Sequence, residues 1–145
     1  MTDSPAGFVV PPGTGLDGDS SMKASKQVTG GALSVFDTQI DAGPPLHVHE
    51  HEDENCYVLE GEITVRCGTD TFDAGPGSFV FLPRGRPHRF WSKSGSARLL
   101  LIAVPGGIED YFREINAAST EAELTEVGER YGIRVVPESG SDAGT

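Results

Sequence analysis

His47-Val48-His49-Glu50-His51-Glu52-Asp53-Glu54, followed at once by NCYVLEG to Gly61, gathers three of the chain's four histidines and four carboxylates into eight residues. His47 and His49 are separated by one residue, so on a β-strand both imidazoles point to one face while Val48 points to the other. One strand can present two ligands to one ion in this way. Pro44 and Pro45, which donate no ladder hydrogen bond, suit the entry to such a strand at a loop or sheet edge. The odd offset from His49 to Glu54 would turn the carboxylate away on an unbroken strand. The polar run from Glu50 to Asp53 therefore reads as a turn, with His51 and Glu52 in solvent and Glu54 opening a second strand.

The fourth histidine stands in GSFVFLPRGRPHRFWS. There a strand from Ser78 to Leu82 stops at Pro83, a tight turn with Gly85 reverses the chain, and His88 begins the next strand. Three histidines and a glutamate can thus meet from two hairpins. Imidazole with carboxylate is a borderline ligand set that suits Fe, Mn, Co, Ni, Cu or Zn, and affinity order alone does not select among them.

Around these stretches, from residue 22 to 106, short apolar or alternating runs (ALSVFDTQI, CYVLEGEITVRC, DTFDAG, ARLLLIAV) are punctuated by Gly, Pro and Asp, with no helical period. That spacing predicts an all-β sandwich or barrel. Residues 1–21, rich in Pro, Gly, Asp and Ser, read as a flexible arm in which Phe8-Val9-Val10 can still pair as a strand. After Pro105 the period changes. Ile108, Tyr111, Phe112 and Ile115 make the stripe of a short amphipathic helix, and Thr120 with Glu123 forms a capping box opening a second helix that ends at Gly132. Residues 107–136 are thus a helical extension with a short closing strand, and 137–145 a disordered tail. Such helices cover a sheet face or a partner subunit, or close over a substrate.

With 145 residues the chain fits one domain. Its net charge of -11 repels phosphate backbones and anionic headgroups, which argues against nucleic-acid and membrane roles. The absence of a secretory start or a long apolar run predicts a cytoplasmic protein. Cys56 and Cys67 lack the spacing of a zinc or redox pair and read as small buried hydrophobes. Cys56, two residues beyond Glu54, shares its strand face.

The two histidine stretches resemble the motifs of the cupin superfamily. His47-x-His49-x4-Glu54-x6-Gly61 keeps every interval of the first motif from its first histidine onward, although Asp41 stands where the leading glycine would. Gly77-x5-Pro83-x-Gly85-x2-His88 matches the second motif, with Ser92 where Asn is usual. The resemblance covers about residues 23–106. It implies a double-stranded β-helix, a jelly-roll barrel, holding one divalent transition metal on His47, His49, Glu54 and His88, commonly as a homodimer.

A narrower likeness, to small bacterial cupins compared with quercetin 2,3-dioxygenases, implies a metal-dependent dioxygenase. Its partners would be dioxygen and a flavonol-like or other enolisable aromatic small molecule, with Glu54 as both ligand and catalytic base. Cys56, Phe79, Phe81, Phe90, Tyr111 and Phe112 are the candidate pocket residues; ordinary core packing is the alternative for each phenylalanine of the barrel. A non-redox cyclase or isomerase, or a non-catalytic binding module, are the alternative functions.

Overall fold

In the computed structural model, which describes residues 4–138, ten strands and three helices follow one another along the chain. One sheet contains β1 (Met22–Ala24), β2 (Ser34–Ile40), β9 (Ala97–Val104), β4 (Asp53–Glu60) and β7 (Phe79–Val80), in the order β1-β2-β9-β4-β7. The other contains β10 (Ile133–Val135), β3 (His47–His49), β8 (His88–Ser92), β5 (Ile63–Cys67) and β6 (Asp70–Ala74), in the order β10-β3-β8-β5-β6. The pairings between neighbouring strands are antiparallel, and the two sheets form the expected jelly-roll sandwich.

Alternation explains which side chains fill the space between the sheets. On β9, Ala97, Leu99, Leu101 and Ala103 are buried while Arg98, Leu100 and Ile102 are partly exposed. Val58 on β4, Ile63 and Val65 on β5, and Leu82 beyond β7 complete a core in which each is fully buried. Each such aliphatic side chain contributes about 1.5–3 kcal/mol relative to exposure.

Several expectations need correction. One helical turn, α1 (Lys26–Thr29), interrupts the β-region; it is capped by the Ser25 hydroxyl on the Val28 N–H and closed by Gly30 at φ 65°. Phe8 to Val10 form no strand, since no sheet edge takes up their backbone. From Pro11 the arm folds back: Leu16 packs on the core, and the Lys23 ammonium donates to the Thr14 carbonyl at 2.6 Å. The strand expected from Ser78 to Leu82 is limited to Phe79–Val80, because the Leu82 N–H donates to the Asn55 side chain instead of a ladder carbonyl.

The two C-terminal helices are α2 (Ile108–Ala117) and α3 (Glu121–Tyr131). Both halves of the Thr120/Glu123 capping box are made, and Gly132 ends α3 at φ 70°, a left-handed conformation that costs glycine nothing. Glu109, buried, anchors the start of α2 by accepting from the Ser34 hydroxyl at 2.5 Å and the Lys26 N–H at 2.8 Å. Beyond α3 the chain returns as β10 beside β3. Residues 139–145 of the expected tail lie outside the described residues.

Candidate metal centre

The two ligand-bearing stretches are not hairpins, as the local spacing suggested. β3 and β4 belong to different sheets, and so do β7 and β8, so each turn carries the chain across the sandwich. The crossings run in opposite directions. His47 and His49 leave one sheet where Glu54 enters the other, and His88 returns to the first sheet opposite His47.

Backbone hydrogen bonds stitch the two crossings together. The Gly85 N–H donates to the His49 carbonyl at 2.8 Å, and the Glu54 N–H to the Leu82 carbonyl at 2.9 Å. The Arg84 N–H reaches the Asp53 carboxylate at 2.9 Å, and the Arg84 guanidinium meets that carboxylate as well. On the far side, β10 pairs along the whole of β3, Ile133 opposite His49 and Val135 opposite His47. The imidazoles are thus fixed by backbone on both edges of their strand.

The result is one cluster: a ligand atom from each of His47, His49, Glu54 and His88, all within 4.8 Å of one another and all four residues buried. Glu54 Oε1 lies 2.8 Å from His88 Nε2, 3.1 Å from His49 Nε2 and 3.7 Å from His47 Nε2, and the last two nitrogens are 3.1 Å apart.

What the cluster wants follows from the other ring nitrogens. His47 Nδ1 lies 2.7 Å from the Pro45 carbonyl, which can only accept, so that nitrogen carries the proton. His49 Nδ1 lies 2.5 Å from a Glu52 carboxylate oxygen and donates likewise. In the neutral rings both Nε2 atoms then present lone pairs to each other and to an anionic oxygen. Three such acceptors at these separations repel unless a cation lies between them. Two donors bound to one ion at about 2.1 Å and at right angles lie about 3 Å apart, which is the His47–His49 separation. Among the described residues His88 Nδ1 is buried with no hydrogen-bond partner, and its Nε2 faces Glu54. The donor set, three imidazoles and a carboxylate, fits a divalent transition ion.

Electrostatics agree. Burial favours a neutral Glu54, but the surrounding imidazoles of His47, His49 and His88 outweigh it and hold the carboxyl well below its usual range. Burial opposes charge on His49, yet bonds to Glu52 and Glu54 raise it to about 9. At neutral pH without metal, a proton on His49 supplies part of the missing positive charge. Burial lowers His88, and Glu54 offsets this only in part.

Above the cluster lies a cavity of about 1060 Å³ between the barrel and the C-terminal helices, lined by His47, His49 and Glu54 on its floor and by Phe36, Leu99 and Leu101 on its wall. Of the pocket candidates, Phe90, Tyr111 and Phe112 line it. Phe112 meets Phe36 edge-on with ring centroids 5.4 Å apart. Burial and the nearby Glu54 charge both raise the Tyr111 hydroxyl.

The other three candidates are elsewhere. Phe79 and Phe81 are 61% and 56% exposed, because Val80 and Leu82 take the inward positions of that segment. Cys56 is fully buried in the hydrophobic core, its thiol pushed up to about 12 by burial and by Glu54. Glu52 was expected in solvent; its side chain is 13% exposed and bonded to His49, whereas His51 is exposed as expected. The i, i+3 spacing of His49 and Glu52 across a turn was the available signal. Asp17, Asp19 and Ser21 of the arm also reach the cavity rim, and nothing in their local sequence marks this.

Comparison with known proteins gives the same picture. Residues 34–104 match the family model described as Cupin domain. The chain is 28% identical over 125 residues, 79% of its length, to quercetin 2,3-dioxygenase of Bacillus subtilis. It spans little more than a third of the first curated relatives it matches, 37% of that enzyme and 38% of an oxidoreductase, iacF, of Pestalotiopsis fici. Among solved structures, KdgF from Halomonas sp. is similar with TM-score 0.54 and 19% identity over 61% of this chain and 79% of that one. A protein assigned to ethanolamine utilization (protein Q) of Salmonella typhimurium LT2 gives TM-score 0.50 and 29% identity over 59% and 68%.

Proposed function

This chain belongs to the cupin superfamily, and from that premise we propose that it is a metal-dependent dioxygenase acting on a neutral, enolisable aromatic small molecule of the flavonol type. The observation that carries the reading is the four-residue ligand cluster, three of whose members, His47, His49 and Glu54, form the floor of a cavity walled by aromatic and aliphatic side chains. The likeness to quercetin 2,3-dioxygenase supports the substrate class. The volume, about 1060 Å³, is ample for a polycyclic planar molecule.

Charge at the rim narrows the choice. Asp17, Asp19, Glu121 and Glu129 face the opening, while its cations, Arg113 and Arg134, are already paired with Asp110 at 2.8 Å and Glu50 at 3.3 Å. A free carboxylate or phosphate is repelled; a neutral polyphenol is not.

His47, His49, Glu54 and His88 would hold the ion, which when bound supplies Lewis acidity at a substrate hydroxyl and, if redox-active, electrons for dioxygen. The rest falls to the chain's own groups. Phe90 and Phe112 offer ring edges and faces between which a planar substrate is oriented. Glu54, kept ionised by the three imidazoles, accepts the substrate's hydroxyl proton at its carboxylate. The helices α2 and α3 line the side of the cavity away from the cluster.

Oxygen uptake with quercetin by protein loaded separately with Fe, Mn, Co, Ni or Cu tests the activity; substrate-dependent consumption with at least one ion is expected, and none with any would remove this substrate class. Turnover that persists without oxygen in the Zn(II) form would assign a cyclase or isomerase instead. For the dual role of Glu54, the Glu54→Gln variant should lose more turnover than metal content, and unchanged activity per bound ion would exclude the base. A homodimer and a cytoplasmic location belong to the same reading, the first checked by light scattering.

A further inference from the structure

The three imidazoles face one centre but are held from behind in three different ways. His47 Nδ1 meets a neutral carbonyl, that of Pro45, at 2.7 Å. Among the described residues His88 Nδ1 has no hydrogen-bond partner. His49 Nδ1 meets an anion, the Glu52 carboxylate, at 2.5 Å.

Glu52 is distinct from its neighbours in the turn. Its side chain is 13% exposed, against 44% for Glu50, which points outward to Arg134. The turn that delivers it is fixed independently: the Glu50 N–H donates to the Gly132 carbonyl at 2.7 Å, and a Cβ on Gly132 would stand 2.5 Å from the His51 ring. Gly132 also holds φ 70°, a left-handed conformation that favours glycine there.

We propose that Glu52 is a positioning residue that locks the tautomer and ring orientation of His49 and makes it the strongest imidazole donor of the centre, ahead of His47 and then His88. A carboxylate behind a ligating imidazole raises the basicity of the nitrogen facing the ion, and a neutral carbonyl does so less. The inference rests on the metal reading above, and its test separates the two.

Co(II) and Zn(II) binding by competition titration, with calorimetric melting as a check on folding, compares wild type with Glu52→Ala, Glu52→Gln and, as a control in the same turn, Glu50→Gln. Glu52→Ala should bind Co(II) roughly 10–100-fold more weakly. Glu52→Gln, which keeps an acceptor oxygen but no charge, should fall between it and wild type, and Glu50→Gln should match wild type. In the Zn(II)-loaded protein the imidazole 15N resonances of His49 should move in Glu52→Gln while those of His47 and His88 stay, which a purely structural role would not produce. Should Glu52→Ala fail to fold, Glu52→Gln and the 15N spectrum decide. Wild-type affinity with unmoved His49 resonances in Glu52→Gln overturns the inference alone. A wild-type protein that takes up neither ion overturns it together with the metal reading.

Discussion

The two crossings of the sandwich do the same topological work with opposite chemistry. The first, residues 47–54, carries three ligands, two of them on one strand, and a turn of acids whose Glu52 folds back beneath His49. The second, residues 79–88, carries one ligand and a turn of Pro, Arg and Gly that gives its N–H groups away, Gly85 to the His49 carbonyl and Arg84 to Asp53. The first holds the ion; the second holds the first. A binding site of this kind therefore divides its labour between a stretch rich in donors and a stretch that supplies rigidity and a final donor.

The largest effect that would test this division concerns the ligands themselves. Removal of a ligand exceeds the roughly 10–100-fold loss typical of removing its support. His49→Ala should therefore cost more Co(II) affinity than that range, and His88→Ala less than His49→Ala, since among the described residues nothing bonds the back of the His88 ring. Equal losses in a competition titration would make the two crossings equivalent as ion holders.

Next in size is the rigidity of the second crossing. Leu82 is fully buried and accepts from the Glu54 N–H, so Leu82→Ala should lower stability by about 2–5 kcal/mol in denaturant unfolding. Phe79→Ala, nearby but on the outer face, should stay within about 0.5 kcal/mol. A large cost at Phe79 would mean that this face is covered in solution.

The smallest effect lies away from both crossings and sets the background. The Arg98 guanidinium bonded to Asp37 at 2.8 Å holds that carboxyl below its ordinary value. A depressed folded-state value means stabilisation that is complete above the unfolded-state pKa, about 3.9, and is lost as pH falls through the lower folded value. Asp37→Asn should thus lower the melting temperature slightly at pH 7, and the difference should shrink as pH falls below the unfolded-state value of about 3.9. Metal affinity should not change.

Much of this was legible in the residues. The HVH alternation puts His47 and His49 on one face whatever follows, and the apolar period change after Pro105 marks α2 and α3 with their capping box. The pocket residues were less legible. Phe79 and Phe81 share a face with each other, but alternation does not say which face is inward, and Val80 and Leu82 took it. Phe90 follows His88 by two and lies inward with it.

The sequence by itself determined the donor types, their pairing on β3, the β-sandwich class and the helical extension, because each rests on local spacing and on the pleat and helix periods. Only the tertiary structure decided that the two turns cross between sheets and that Asp17, Asp19 and Ser21 reach the cavity rim. Those outcomes depend on which strands pair across long separations in the chain, and hydrogen-bond partners chosen at that range leave no periodic trace in the residues that make them.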